Sequence, residues 1–149
     1  MPKGYSLQAQ GVLDGSLPPA IPDGAIVGAR LRRNSIFLSG ASLVAQGVGA
    51  VNDNIVVYEW PANALFDSIT FQTDTAFTGA TIQFGTAANP TKYGSIAAAA
   101  ANTLYTLRPV AARIAGQYTA PEQLIMTVIG AALPSAFNAE IAMTYQSAN

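Results

Sequence analysis

The sequence predicts an all-β fold, an antiparallel β-sandwich or jelly roll that carries an extended N-terminal arm. Three observations lead there. Short runs of alternating apolar and polar residues recur along the chain, the period-2 pattern of strands with one buried face. The spacers between those runs are rich in Gly, Pro, Asn, Asp and Ser, the residues that tight reversals favour. Helix signals are thin, confined to a short alanine-rich stretch at residues 95–101.

In chain order, residues 1–24 come first, broken by Gly4, Gly11, Gly15, Pro18, Pro19, Pro22 and Gly24. Each proline pushes the residue before it out of the helical region, so LPPAIP at residues 17–22 reads as extended or polyproline-like. Tyr5, Leu7, Val12, Leu13 and Ile21 give this segment apolar anchors. It reads as an arm lying either on a neighbouring surface or along its own domain. Residues 25–149 form the expected sandwich domain. Two short apolar runs, 26–31 and 35–38, flank Arg32-Arg33-Asn34. Residues 54–60 (NIVVYEW) are dense in β-branched and aromatic types, and Pro61 stops them. Residues 68–72 alternate with Ile69 and Phe71 on one face. Ala80, Ile82 and Phe84 alternate in the same way. The alanine stretch at 95–101 is either two helical turns or a strand or loop of small side chains. Leu124, Met126 and Val128 share one face of the next strand, and Ile141, Met143 and Tyr145 one face of the last. Turns are expected at residues 74–79, 85–90 and 133–138.

Composition bounds the function. Half of the 149 residues are hydrophobic, ample for a core, while charged residues are 10% against about 25% in an average soluble protein. Seven basic and eight acidic side chains leave a formal net charge of −1. So little charge implies a surface of small neutral groups, or one buried against other subunits. Cysteine and histidine are both absent. That removes disulfides, thiolate nucleophiles, Cys/His metal sites and the usual general base near neutral pH. The polar start at residues 1–10 predicts no secretory signal, and no apolar run approaches the ~20 residues of a membrane span. No membrane partner is expected.

The chemistry-bearing residues form no catalytic set. Arg30, Arg32 and Arg33 make the only basic cluster, too little for a nucleic-acid face, and read as a protein contact or a solvated strand face. Asp53, Glu59, Asp67, Asp74, Glu122 and Glu140 read as turn formers or solvated positions. Oxygen ligands at Asn52-Asp53-Asn54 lack the spacing and closing Glu of a calcium loop. No Gly-x-Ser-x-Gly elbow and no P-loop occurs, and the only lysines are Lys3 and Lys92. Trp60, Tyr58, Tyr93 and Tyr105 read as core or interface aromatics, with a sugar-stacking platform as the alternative. Neither enzymatic activity nor a cofactor or metal is expected.

The run ITFQTDTAFTGAT at residues 69–81 leads into GTAANPTKY at 85–93, and a final strand, AEIAMTY, follows at 139–145. This order resembles small β-sandwich virion proteins of tailed bacteriophages, of the capsid cement or decoration type. The resemblance covers about residues 66–145 and implies a jelly roll or related sandwich, often trimeric, without catalysis. It further implies a location on the capsid surface, after synthesis in the host cytoplasm, with the major capsid protein and other copies of the chain as partners. The contacts expected on this reading are Tyr5, Leu7, Val12 and Leu13 in the arm, Arg30, Arg32 and Arg33, and exposed aromatics such as Trp60. A tail, neck or fibre component touching a host glycan is the alternative.

Overall fold

Period-2 burial runs along most strands of the computed structural model, which describes residues 30–147. The elements in chain order are β1 (Arg30–Ser39), α1 (Gly40–Ala45), β2 (Asn54–Trp60), β3 (Ala64–Thr73), β4 (Thr81–Gly85), β5 (Gly94–Ala97), β6 (Tyr105–Leu107), α2 (Val110–Ile114), β7 (Glu122–Ile129) and β8 (Asn138–Ser147). They build two four-stranded sheets, β1-β8-β3-β6 and β2-β7-β4-β5, with every pairing antiparallel. Strand 1 pairs with 8, 2 with 7, 3 with 6 and 4 with 5, as in a long hairpin rolled into two layers. That is the jelly-roll order. The expected boundary at residue 24 lies outside the described residues.

The alternations read from sequence define the core. Ile69 and Phe71, Ala80, Ile82 and Phe84, Leu124, Met126 and Val128, and Ile141, Met143 and Tyr145 are all buried between the sheets. Two bulges adjust the phase. In β3 the inward set runs Ala64 and Phe66 and then Ile69, Phe71 and Thr73, because the register against β8 shifts between Phe66 and Ser68. In β2 a shift between Val56 and Tyr58 moves the inward set from Ile55 and Val57 to Trp60. Two aromatic groups fill the interior. Trp60 meets Tyr58, Phe66, Tyr93, Tyr118 and Tyr145, while Phe71 meets Phe77 and Phe84, and Phe77 also meets Phe137.

Three local expectations are corrected and one open alternative is decided. Residues 30–39 form one strand, since an edge strand tolerates Arg32-Arg33-Asn34 when those side chains reach solvent. The alanine stretch holds no helix: β5 ends at Ala97, and Ala98 turns with a φ of 45°. The helices lie elsewhere. Neither α1 nor α2 has a side-chain cap, so neither carried a start signal, and each is held by one or two buried residues, Gly40 and Leu43 or Ala112. Finally, Trp60 is not an exposed contact residue. It is 0% exposed, placed inward by the β2 bulge and enclosed by five rings.

Candidate interaction surface

Among the described residues β1 lies at the edge of its sheet, hydrogen-bonded on one side to β8. Paired residues of an antiparallel ladder share a face. Arg32, Asn34, Ile36 and Leu38, opposite Tyr145, Met143, Ile141 and Ala139, therefore lie on the inner side, and Leu31, Arg33, Ser35 and Phe37 on the outer. The Asn34 side-chain amide donates to the Tyr58 hydroxyl at 2.6 Å, and the Tyr58 and Tyr145 hydroxyls are 3.2 Å apart. Burial, aided by the Tyr145 contact, pushes the Tyr58 phenol up to about 12, against the opposing pull of Asn34 and Arg32. Arg33 reaches Glu140 at 3.6 Å across an open face, a pair worth little by itself.

Of the expected contact residues, Arg32 and Arg33 are exposed on opposite faces of this edge. Arg30 opens β1 opposite Ser147, and its side chain lies outside the described residues. Tyr5, Leu7, Val12 and Leu13 lie outside them as well. Trp60 is withdrawn into the core. The structure thus leaves two of the expected residues exposed, on opposite faces of one strand, and exposes other side chains that sequence reading did not single out.

Those additions are apolar. Leu31 is 65% exposed and Phe37 77%, both on the outer face of β1. On the opposite edge of the same sheet, α2 presents Val110 (67%) and Ile114 (73%), four residues apart and so on one helix face, with exposed Leu104 just before β6. Buried Ala112 seats α2, and Arg108 and Arg113 bind Asp67 of β3 at 2.9 and 3.6 Å. The available sequence signal for α2 was Pro109 followed by apolar residues at that four-residue spacing.

The polar interior is built for holding shape. Lys92 places its ammonium 2.7 Å from both carboxylate oxygens of Glu122. The Tyr93 hydroxyl donates to the same carboxylate and shares a hydrogen bond with the Tyr118 hydroxyl. Burial is the main cause that pushes both phenols above the ordinary tyrosine range, so they stay protonated at neutral pH. Tyr118 stacks on Trp60, with ring centroids 6.1 Å apart. This set ties the β6–β7 connection to the β4–β5 turn, and nothing in it pairs a nucleophile with a base.

Two acids expected to form turns do so. Asp53 accepts the Gly49 and Ala50 backbone N–H groups at 2.8 Å each. Asp74 accepts the backbone and side-chain N–H groups of Asn138, both at 2.9 Å, together with the Thr75 hydroxyl. The Asn138 bonds, backbone first, hold the Asp74 carboxyl below its ordinary value. A carboxyl depressed in the folded state contributes stability that is complete above its unfolded value and lost as pH falls through the folded one. Urea midpoints followed from about pH 5 down to about pH 2 are expected to fall less steeply for Asp74→Asn than for the parent chain. Parallel curves would rule out this contribution.

Among the described residues no group of three or more His, Cys, Asp or Glu could hold a metal ion, and no helix is long and apolar enough to cross a membrane. The described residues thus define a jelly roll whose edges carry apolar and arginine side chains. No protein-family model matches the sequence, and no curated protein matches it. Solved structures share the fold. A chain of the cyanophage Pam1 capsid asymmetric unit superposes with a TM-score of 0.57 at 20% identity, covering 99% of both chains. A chain of the Helicobacter pylori bacteriophage KHP30 capsid gives 0.54 at 8% identity over 80% of this chain and 95% of its own. A chain of the Ralstonia phage GP4 capsid gives 0.51 at 17% identity over 89% and 92%.

Proposed function

We propose that this chain is a structural protein of a tailed-phage virion, a capsid cement or decoration subunit without enzymatic activity. It oligomerises, as a trimer, and bridges neighbouring major capsid subunits on the outside of the head, independently of nucleic acid, membrane or cofactor. The observation that carries this reading is the fold likeness to a chain of the cyanophage capsid asymmetric unit, in a match that covers 99% of both chains. The exposed Leu31 at one edge of a sheet and Leu104, Val110 and Ile114 at the other, in a chain with 10% charged residues, support it. Covering such residues stabilises a contact by roughly 25 cal/mol per Å² of apolar area before ordering losses, and little charge leaves water in doing so. Tyr5, Leu7, Val12 and Leu13 would anchor the N-terminal segment on the shell, with Arg30, Arg32 and Arg33 beside them, and repetition over a symmetric shell would add avidity.

Deleting residues 1–24 tests this reading. The truncated chain is expected to keep the far-ultraviolet circular dichroism of its β structure and to lose binding to decoration-free capsids. Undiminished occupancy would overturn the assignment of the contact to this segment. Labelled subunits are expected to coat the head, whereas label at a single vertex would transfer the chain to the neck, tail or fibre.

A further inference from the structure

Phe37 is the most exposed large apolar side chain among the described residues. It stands at the wall of a groove of about 350 Å³ on the outer face of the β1-β8-β3-β6 sheet. Phe37, Glu140 and Gln72 form one row across β1, β8 and β3, paired in register. Asp74, Asn102 and Asn138 line the same groove. We propose that this groove binds carbohydrate: one or two neutral pyranose rings, stacked on Phe37, with their hydroxyls on the amide and carboxylate row.

The chemistry of the lining selects that ligand. A pyranose has an apolar C–H face and a rim of hydroxyls. The face of a phenyl ring is electron-rich and attracts polarised C–H groups, and Phe37 has no polar tip that water could satisfy. Beside it, the side chains of Gln72 and Asn102 have no hydrogen-bond partner among the described residues, so their donors and acceptors are available. Neighbouring strands lie ~4.8 Å apart, about one sugar ring, so the row across three strands suits a disaccharide. The volume lies near the lower end of small-ligand sites, roughly 300–1,000 Å³.

The site is also fixed in advance. Phe37, Glu140 and Gln72 sit in continuous ladders, and Asp74 is locked by its bonds to Asn138. The Asn102 backbone N–H donates to the Thr73 carbonyl at 2.6 Å. Such rigidity lowers the ordering cost of binding.

Competing occupants fit less well. A peptide adding as a strand would pair along the open edge of β1, not across the face on which Phe37, Glu140 and Gln72 form their row. An apolar partner would strand amides and carboxylates without bonds. The carboxylates of Glu140 and Asp74, against the single guanidinium of Arg33 at the rim, disfavour anionic sugars. This inference does not depend on where in a virion the chain resides.

The test uses the full chain with glucose, galactose and N-acetylglucosamine disaccharides, and a sialylated trisaccharide as the anionic probe, read by saturation-transfer NMR and calorimetry. Saturable binding of at least one neutral disaccharide, weaker for the sialylated probe, is expected. Phe37→Ala should lose roughly tenfold in affinity and Phe37→Trp should keep it. Because Phe37 is exposed, both variants should retain the parental far-ultraviolet circular dichroism and urea midpoint. No binding across the panel, undiminished binding by Phe37→Ala, or preference for the sialylated probe would each overturn the site. So would a Phe37→Ala variant that changes oligomeric state while the parent binds no sugar, since the face would then be a subunit contact. Capsid occupancy of the variant, measured separately, reports on the cement reading alone.

Discussion

Trp60→Ala is expected to destabilise the fold by about 3–5 kcal/mol, the range for removing a large buried aromatic. Trp60 is fully enclosed and meets five rings drawn from β2, β3, β8, the β4–β5 turn and the β6–β7 connection. Its removal leaves a cavity that both sheets border, and rings held in antiparallel ladders have little freedom to collapse into it. The loss reaches the polar set as well, because Tyr118 stacks on Trp60 and bonds Tyr93. Urea unfolding followed by circular dichroism is the measurement, since Trp60 is the only tryptophan and its fluorescence goes with it. Trp60→Phe is the informative control. The indole N–H has no hydrogen-bond partner among the described residues, so that variant sacrifices volume but none of the described bonds and should cost clearly less. Equal losses for the two variants, or a loss under about 1 kcal/mol for alanine, would show that this cluster does not anchor the sandwich.

Gly85→Ala is expected to cost about 3 kcal/mol, at the top of the range for forcing one methyl into a packed site. A Cβ at Gly85 would lie 2.1 Å from the Asn89 carbonyl oxygen and 2.4 Å from the Pro90 carbonyl group. These are backbone atoms of the turn that β4 enters, so no side-chain rotation relieves the clash. The turn is also stitched by Thr86 N–H to the Asn89 carbonyl at 2.9 Å and Asn89 N–H to the Thr86 hydroxyl at 3.0 Å. Gly47 supplies the comparison. It has a φ of 73°, but among the described residues nothing lies within 4 Å of where a Cβ would stand, so Gly47→Ala carries only the left-handed backbone penalty, about 1 kcal/mol. Urea midpoints for the two variants should differ accordingly, and equal shifts would refute the steric argument.

Strands were legible wherever one face meets the core and the other meets water. Ile69 with Phe71 alternates with Ser68, Thr70 and Gln72, and Leu124, Met126 and Val128 share a face opposite Gln123 and Thr127, which declares the buried side of each strand. β6 has three residues and no pattern to read, and its existence depends on pairing with Ile69, Thr70 and Phe71. Both helices are too short to carry a period or a cap, so packing alone supports them. The bulges were hidden too, since an extra residue appears only when a partner strand is counted against it.

The candidate surface divides in the same way. Arg32 and Arg33 could be marked from sequence because charge is scarce in this chain and reaches water at an edge. Trp60 turned against its expected role, and Phe37 was not singled out at all. An aromatic at the end of NIVVYEW turns inward only because of the β2 bulge, and Phe37, within an apolar run, turns outward because its neighbours Ile36 and Leu38 face the core.

By itself the sequence determined the all-β class, most strands, the turns between them and the absence of thiol and imidazole chemistry. These follow from local residue type and period-2 spacing, which act within a few residues. Tertiary structure alone decided the jelly-roll order of the sheets, the inward turn of Trp60 and the groove beside Phe37. Each of those depends on which distant strands pair and in what register, and a register shift of one residue exchanges the buried and open faces of a strand.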